Sequence, residues 1–292
     1  MDAVITYVNG MEPKWRYQCI QYNRFPNFIQ RFYDYGTLRF VLRGISEHMK
    51  FIDRVFLVVS NIEQVPDFVN DNVIIITHNM FIPEEYLPTF TSRTIETFLW
   101  NIPGLSENFI YFNDDMIPIN KLEKEEFFKD NLPCLSFQDK ITNVEYFNNT
   151  LKNCNRLASK NYTEKEYNDY LRPYHIMVPY FKSDYFKNFT LIEDEIKGLK
   201  DTTRTGRQLS QYFFANCNYY QNKYFDYVPT NYYLHTKYSS EEFITHLNEN
   251  KDKQTICINS YGEFLDKTLK ETRMIIEDEL YKILPNKGIY EK

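Results

Sequence analysis

The chain has 292 residues, 43% hydrophobic and 17% aromatic, which is enough apolar surface for a large core. A mean hydropathy of -0.55 argues against a membrane-embedded protein. Its 34 Lys and Arg against 40 Asp and Glu leave a formal charge of -6, which excludes general attraction to nucleic acid or anionic lipid, so any phosphate must be held by a local site.

The first residues, MDAVITYVNG, lack a basic segment followed by an apolar stretch. Nowhere does the chain reach the roughly 18 apolar residues of a membrane helix. No integral membrane segment and no export signal are expected. Residues 3–8, AVITYV, read as a strand ending at Asn9 and Gly10. Leu38 opens a helical pattern over 38–48, and short apolar runs at 55–60 and 72–77 read as further buried strands. A second helical pattern spans 93–100, with Ser92 as the expected N-cap and Ile95, Phe98, Leu99 and Ile102 as its apolar stripe. Its start offers N–H groups to an anion. Glu96 lies off the stripe, where a solvated face residue is the plain reading. Residues 108–112 form a fourth strand.

Strands alternating with helices predict an α/β fold with a mostly parallel central sheet and helices on both faces, Rossmann-like. One domain over 1–292 is expected, since no linker forces a split. Ligands in such sheets sit beyond the carboxyl ends of the strands. The residues there are Asn9 and Gly10, Ser60 and Asn61, Thr77 and His78, and Asn113 to Asp115, all of them polar or very small. In FIYFNDDMIPI the adjacent Asp114 and Asp115 repel unless compensated, and Mg²⁺ or Mn²⁺, which takes oxygen ligands, answers that repulsion. An acidic turn in water reads equally well from these residues alone.

From about 120 to 170 the chain is rich in Lys, Glu, Asn and Tyr without a period, which predicts a partly irregular insertion or lid. The Tyr and Asn run near 216–233 reads as compositional bias. Residues 264–284 carry apolar positions at three- and four-residue steps, an amphipathic helix stopped by Pro285. The five cysteines form no CxxC pair, which gives a disulfide framework or zinc cluster little support and favours a reducing compartment. The sequons at Asn148, Asn161 and Asn188 read as chance in so Asn-rich a chain.

Several blocks resemble the Stealth family in order and spacing. DAVITYVNG at 2–10 is similar to its opening motif, and RFYDYGTLRFVLRGI at 31–45, QVPDFVN at 64–70, THNMFIP at 77–83 and LPTFTSRTIETFLWNIPGLSENFIYFNDD at 87–115 are similar to its long second region. HIMVPYFKSDYF at 175–186 resembles the third region, and TTRTGRQLSQYFFAN at 202–216 the fourth. There Arg204 takes the place of the family arginine, and Gln208 stands where an acidic residue is common. TICINSYGEF at 255–264, with Ser260 for the frequent Asp, and LPNKGIYE at 284–291 resemble the closing segment.

The resemblance implies a GT-A-like scaffold, a nucleotide-sugar donor, usually a UDP-sugar, and transfer of hexose-1-phosphate to a glycan hydroxyl with release of the nucleoside monophosphate. The bias toward Lys, Asn, Tyr and Phe, which suggests an AT-rich genome, and the lack of an export signal fit a bacterial capsule enzyme at the cytoplasmic face of the membrane, with peripheral association with a capsule-synthesis complex expected. On that reading Asp114 and Asp115 hold the metal, His175 serves as general base, and Arg204 grips phosphate oxygens, with Glu96 also in the catalytic set. Asn9, Gly10, Arg39, Thr89, Ser92 and Asn113 lie on the donor. For Arg39 and Arg43, pairing with the acidic cluster is an equal expectation, and His78 reads as structural. The rivals are a metal-dependent glycosyltransferase releasing nucleoside diphosphate, and a non-catalytic glycan-binding module.

Overall fold

A computed structural model describes residues 1–22, 32–197, 209–259 and 262–292. In chain order the elements are β1 (Asp2–Thr6), α1 (Pro13–Gln21), α2 (Thr37–His48), β2 (Arg54–Val59), β3 (Val73–Thr77), α3 (Ser92–Thr97), β4 (Asn108–Asn113) and β5 (Met116–Pro118). There follow β6 (Phe128–Lys129), β7 (Leu132–Leu135), β8 (Phe137–Asp139), α4 (Glu145–Asn161), β9 (Leu171–Pro173), β10 (Val178–Phe181), α5 (Lys182–Phe189) and α6 (Glu193–Lys197). The chain continues with α7 (Gln211–Tyr220), β11 (Phe225–Asp226), β12 (Asn231–His235), α8 (Ser240–Glu249), β13 (Thr255–Asn259) and α9 (Leu269–Ile283). The fold is α/β, as the sequence predicts, with parallel strands and a mixed smaller sheet in which β12 runs parallel to β13 while β13 runs antiparallel to β5.

The residues divide into two compact units. One comprises Met1–Asp2, Thr77–Tyr111 and Glu125–Val228; the other comprises Ala3–Ile76, Phe112–Lys124 and Pro229–Lys292. We call them the first and second units.

In the second unit β1, β2 and β3 are sheet neighbours in that order, and β12, β13 and β5 form a separate three-stranded sheet. The continuous apolar run of β2 is buried from Val55 to Val59, as a strand covered on both faces requires. Leu38, Val41, Leu42 and Ile45 recur at helical spacing in α2 and are at most 1% exposed. This helix packs on β5 so closely that a Cβ on Gly44 would lie 2.2 Å from the carbonyl oxygen of Pro118. Reciprocal side-chain bonds cap two helices: Ser239 with Glu242 at α8, and Thr268 with Glu271 at α9.

In the first unit β10 runs antiparallel along β4, with Val178 opposite Tyr111. The segment expected to lack periodicity contains the 17-residue α4, whose Leu151, Cys154, Leu157 and Ala158 are buried. Its Asn-rich sequence obscured the apolar stripe. The Tyr and Asn run is likewise more than compositional bias. Residues Asn216 and Tyr220 of the buried α7 both bond Asn155 Oδ1, at 2.9 and 3.1 Å, and Asn155 Nδ2 donates to the Leu171 carbonyl. These polar residues are internal because they bond one another, with Asn216 Oδ1 left as a buried acceptor without a partner.

Helix α3 starts at Ser92, so Thr91 rather than Ser92 occupies the N-cap, and a single 3-10 turn, Leu99–Asn101, replaces its expected last turn. All five cysteines are buried and unpaired. Among the described residues no helix is long and apolar enough to cross a membrane.

Candidate functional site

In the second unit the turn between β4 and β5 carries three polar residues in succession. Asn113 closes β4, and Asp114 and Asp115 make the turn, all three half-buried. Burial raises the Asp114 carboxyl well above its ordinary range, and the charges of Asp115 and Asp34 add to the effect. Asp115 is pushed up to about 6, chiefly by desolvation, although a hydrogen bond with the Cys257 thiol opposes the shift. Its Oδ1 is buried with no hydrogen-bond partner. The Cys257 thiol is raised in turn by burial and by Asp115. Adjacent carboxylates in a place that disfavours both charges are what a cation would relieve.

Tyr7, just past β1, has its phenol raised by burial and then by Asp34 and Asp114, and it shares a hydrogen bond with Asp34. Asp34 accepts from Gly36 N at 2.8 Å and from Arg273 Nη1 at 3.2 Å. Tyr7, Asp34, Cys257 and Arg273 were absent from the sequence-derived set. Their separation along the chain leaves no spacing to read, and the one local signal is an acid between aromatics directly before a helix, in FYDYG.

Asn9 and Gly10 form a tight turn beyond the same strand. The Asn9 amide N–H donates to Gln64 Oε1 at 2.6 Å, and its side-chain oxygen accepts from Met11 N at 2.9 Å. The Gly10 N–H donates to the Phe32 carbonyl at 2.6 Å, and a Cβ there would lie 2.4 Å from Phe32 Cβ. Arg39 and Arg43 both engage Glu291, at 2.9 and 2.7 Å, and Arg39 lies over the Phe68 ring. The carboxylate that holds them is thus Glu291 rather than Asp114 or Asp115.

In the first unit Glu96 is 6% exposed, which overturns its plain reading as a solvated residue. Burial raises its pKa, while its bond from Gln211 N at 2.9 Å and the nearby Arg93 charge oppose the shift. Gln211 opens α7, so the carboxylate sits at a helix N-terminus. Ser92 is exposed and its hydroxyl also bonds Glu96; Thr89 is buried, its hydroxyl without a hydrogen-bond partner. His175, two residues past β9, is half-buried, and desolvation followed by the Arg172 charge lowers its pKa to about 4. The imidazole of His78 is buried against Phe81 and is also lowered to about 4, by desolvation. Arg204, Gln208 and Ser260 lie outside the described residues.

The chain is thus of the α/β class, with a pair of desolvated acids in the turn that closes a core strand. Residues 31–134 match the model of Stealth protein CR2, conserved region 2. The chain is 32% identical over 237 residues to a capsular polysaccharide phosphotransferase, cps1A, of Actinobacillus pleuropneumoniae, covering 74% of this chain and 63% of that one. Against an exopolysaccharide phosphotransferase, cps2G, of Lactiplantibacillus plantarum it is 36% identical, covering 56% and 50%. Against a capsular polysaccharide phosphotransferase of Actinobacillus suis it is 28% identical, covering 90% and 77%. Residues 31–134 therefore carry the second conserved region of the Stealth family. The chain spans less than two thirds of the length of the first two of these relatives. Among solved structures it is similar to the galactosyltransferase LgtC, with TM-score 0.46 and 10% identity, covering 98% of this chain and 97% of that one.

Proposed function

We propose that this chain transfers a hexose-1-phosphate from a nucleotide-sugar, a UDP-sugar first of all, to a hydroxyl of a glycan acceptor in capsule or cell-surface polysaccharide synthesis. The nucleoside monophosphate leaves. The observation that carries the reading is the Asp114 and Asp115 turn: two desolvated carboxyls, inside the region that matches the Stealth model, with Asp115 Oδ1 lacking a partner.

Oxygen donors on neighbouring residues fit Mg²⁺ or Mn²⁺, and such an ion would supply charge neutralisation for a diphosphate. The chain's own groups do the rest. The acceptor oxygen forms a bond to the phosphorus that bears the hexose, and the bond from that phosphorus to the nucleoside monophosphate breaks. His175 is assigned the hydroxyl proton: desolvation lowers its pKa to about 4, which keeps the imidazole neutral at pH 7 but makes it a weaker base than a free histidine. Arg204 is assigned the bidentate grip on phosphate oxygens. Asn9, Gly10 and Asn113 line the strand ends on the nucleotide side, with Thr89 and Ser92 as further donor contacts. Glu96 acts as a positioning residue that fastens α3 to the start of α7. On this reading the chain works at the cytoplasmic face of the membrane, beside other capsule-synthesis enzymes.

The test is incubation with a panel of UDP-sugars, acceptor glycan and Mg²⁺ or Mn²⁺, following UMP against UDP. UMP release with phosphate retained in the product is the expected result. UDP release would make the chain an ordinary glycosyltransferase, and no release from any donor would remove the reading. His175→Ala should lower kcat by about 100-fold or more while donor affinity holds, as loss of a general base does.

A further inference from the structure

One face of the β12-β13-β5 sheet runs from the acidic turn to a group of aromatic rings. On β13, Cys257 and Asn259 are two residues apart and share a face. The parallel register sets Tyr233 opposite Cys257 and His235 opposite Asn259, and side chains directly opposite point the same way. Because the Cys257 thiol bonds the Asp115 carboxylate, this is the face that adjoins the acidic centre. The Asn259 amide donates to the Tyr233 hydroxyl. His235 meets Tyr233 edge-on, with centroids 4.8 Å apart at 77°, and Tyr238 lies 6.1 Å from His235 at 70°. Tyr233, His235, Tyr238 and Asn259 are half-exposed, whereas Cys257 is 1% exposed. Two strand spacings put β12 roughly 10 Å from the strand that follows Asp115.

We propose that this shelf is a subsite for a pyranose ring. A pyranose has an apolar face of C–H groups and a rim of hydroxyls. A Tyr233 or His235 ring covers the first, and the Asn259 amide and Tyr233 hydroxyl bond the second. A flat nucleobase is matched less well, because the rings cross at steep angles and offer no parallel pair to hold it. The inference deepens the proposed function and rests on it only in placing phosphate at Asp114 and Asp115. The sugar belongs either to the donor hexose or to the acceptor glycan.

The test uses binding, so it stands apart from turnover. Saturation-transfer NMR and calorimetry would compare the wild-type chain, Tyr233→Leu and Tyr233→Phe, each checked for folding by circular dichroism, with a panel of methyl hexopyranosides, with UDP-sugars and with UMP. Tyr233→Leu should weaken pyranoside binding about tenfold, the weight of one stacked ring, with UMP affinity unchanged. Tyr233→Phe should keep most of the binding. A parallel loss of UDP-sugar over UMP affinity in Tyr233→Leu assigns the ring to the donor; its absence assigns it to the acceptor. Pyranoside binding that is absent in wild type, or equal in Tyr233→Leu, would overturn the subsite even with UMP release observed. A matching loss of UMP would overturn it in favour of a base-binding shelf. Sugar binding that follows this pattern in a chain that releases no UMP would sink the proposed function and leave the subsite standing.

Discussion

At the scale of single residues, the acidic turn carries a conflict between stability and function. Burial and Asp115 together raise the Asp114 carboxyl, and desolvation raises Asp115 to about 6, so the folded chain holds charges that its surroundings resist. Removing one should help the fold. Asp114→Asn is expected to raise metal-free stability by about 1 kcal/mol, read by urea titration, while turnover is lost. A divalent ion at 100 times its dissociation constant should stabilise the wild type by about 2.7 kcal/mol and Asp115→Asn by far less. Equal stabilisation of both proteins would place the ion elsewhere. Gly10 is constrained differently: Gly10→Ala should cost about 1–3 kcal/mol, because the new methyl meets Phe32 at 2.4 Å, and unchanged stability would show that the turn can yield.

Among elements, two fastenings decide where site residues stand. Glu96 ties α3 to the first N–H of α7 and accepts from Tyr111, while the Tyr185 hydroxyl donates to its backbone carbonyl at 2.5 Å. Glu96→Ala would leave the Gln211 N–H without its acceptor and should cost about 2–4 kcal/mol, with Glu96→Gln milder because an amide oxygen can still accept. Chemical denaturation compares them directly; equal costs would mean the charge, and not the acceptor, matters. On the other unit α2 lies against β5 through Gly44, so the helix after Asp34 and the strand after Asp115 are held at a separation that no side chain at 44 allows.

For the whole molecule, pH is the most informative variable. His78 is 7% exposed, and burial lowers its pKa to about 4 from an unfolded value near 6.5. The unfolded chain therefore takes up a proton between these values and the folded chain does not, so stability falls as pH drops from 6.5 toward 4, by up to about 3 kcal/mol for this residue. His78→Gln should flatten that part of the profile in denaturant melts, and an unchanged slope would assign the loss to other groups, His175 among them. Glu291 sits in a desolvated place, yet the Arg43 bond, Gly288 N–H and the charges of Arg43 and Arg39 hold its pKa below the usual range.

Features whose signal is local could be read from the residues alone. Apolar runs marked β1 to β4, helical spacing marked α2 and α9, and the Asn-Asp-Asp after an apolar strand marked the turn between β4 and β5. The ordered blocks from 31 to 115 marked the family. Features that depend on burial and on distant partners emerged with the folded chain. The fold put α4 inside a stretch with no visible period, turned Glu96 inward, gave Arg39 to Glu291, and brought Tyr7, Asp34 and Cys257 to the acidic turn. The physical reason is that periodicity and caps act over a few residues, whereas desolvation and charge pairing act through space between residues that the chain order keeps far apart.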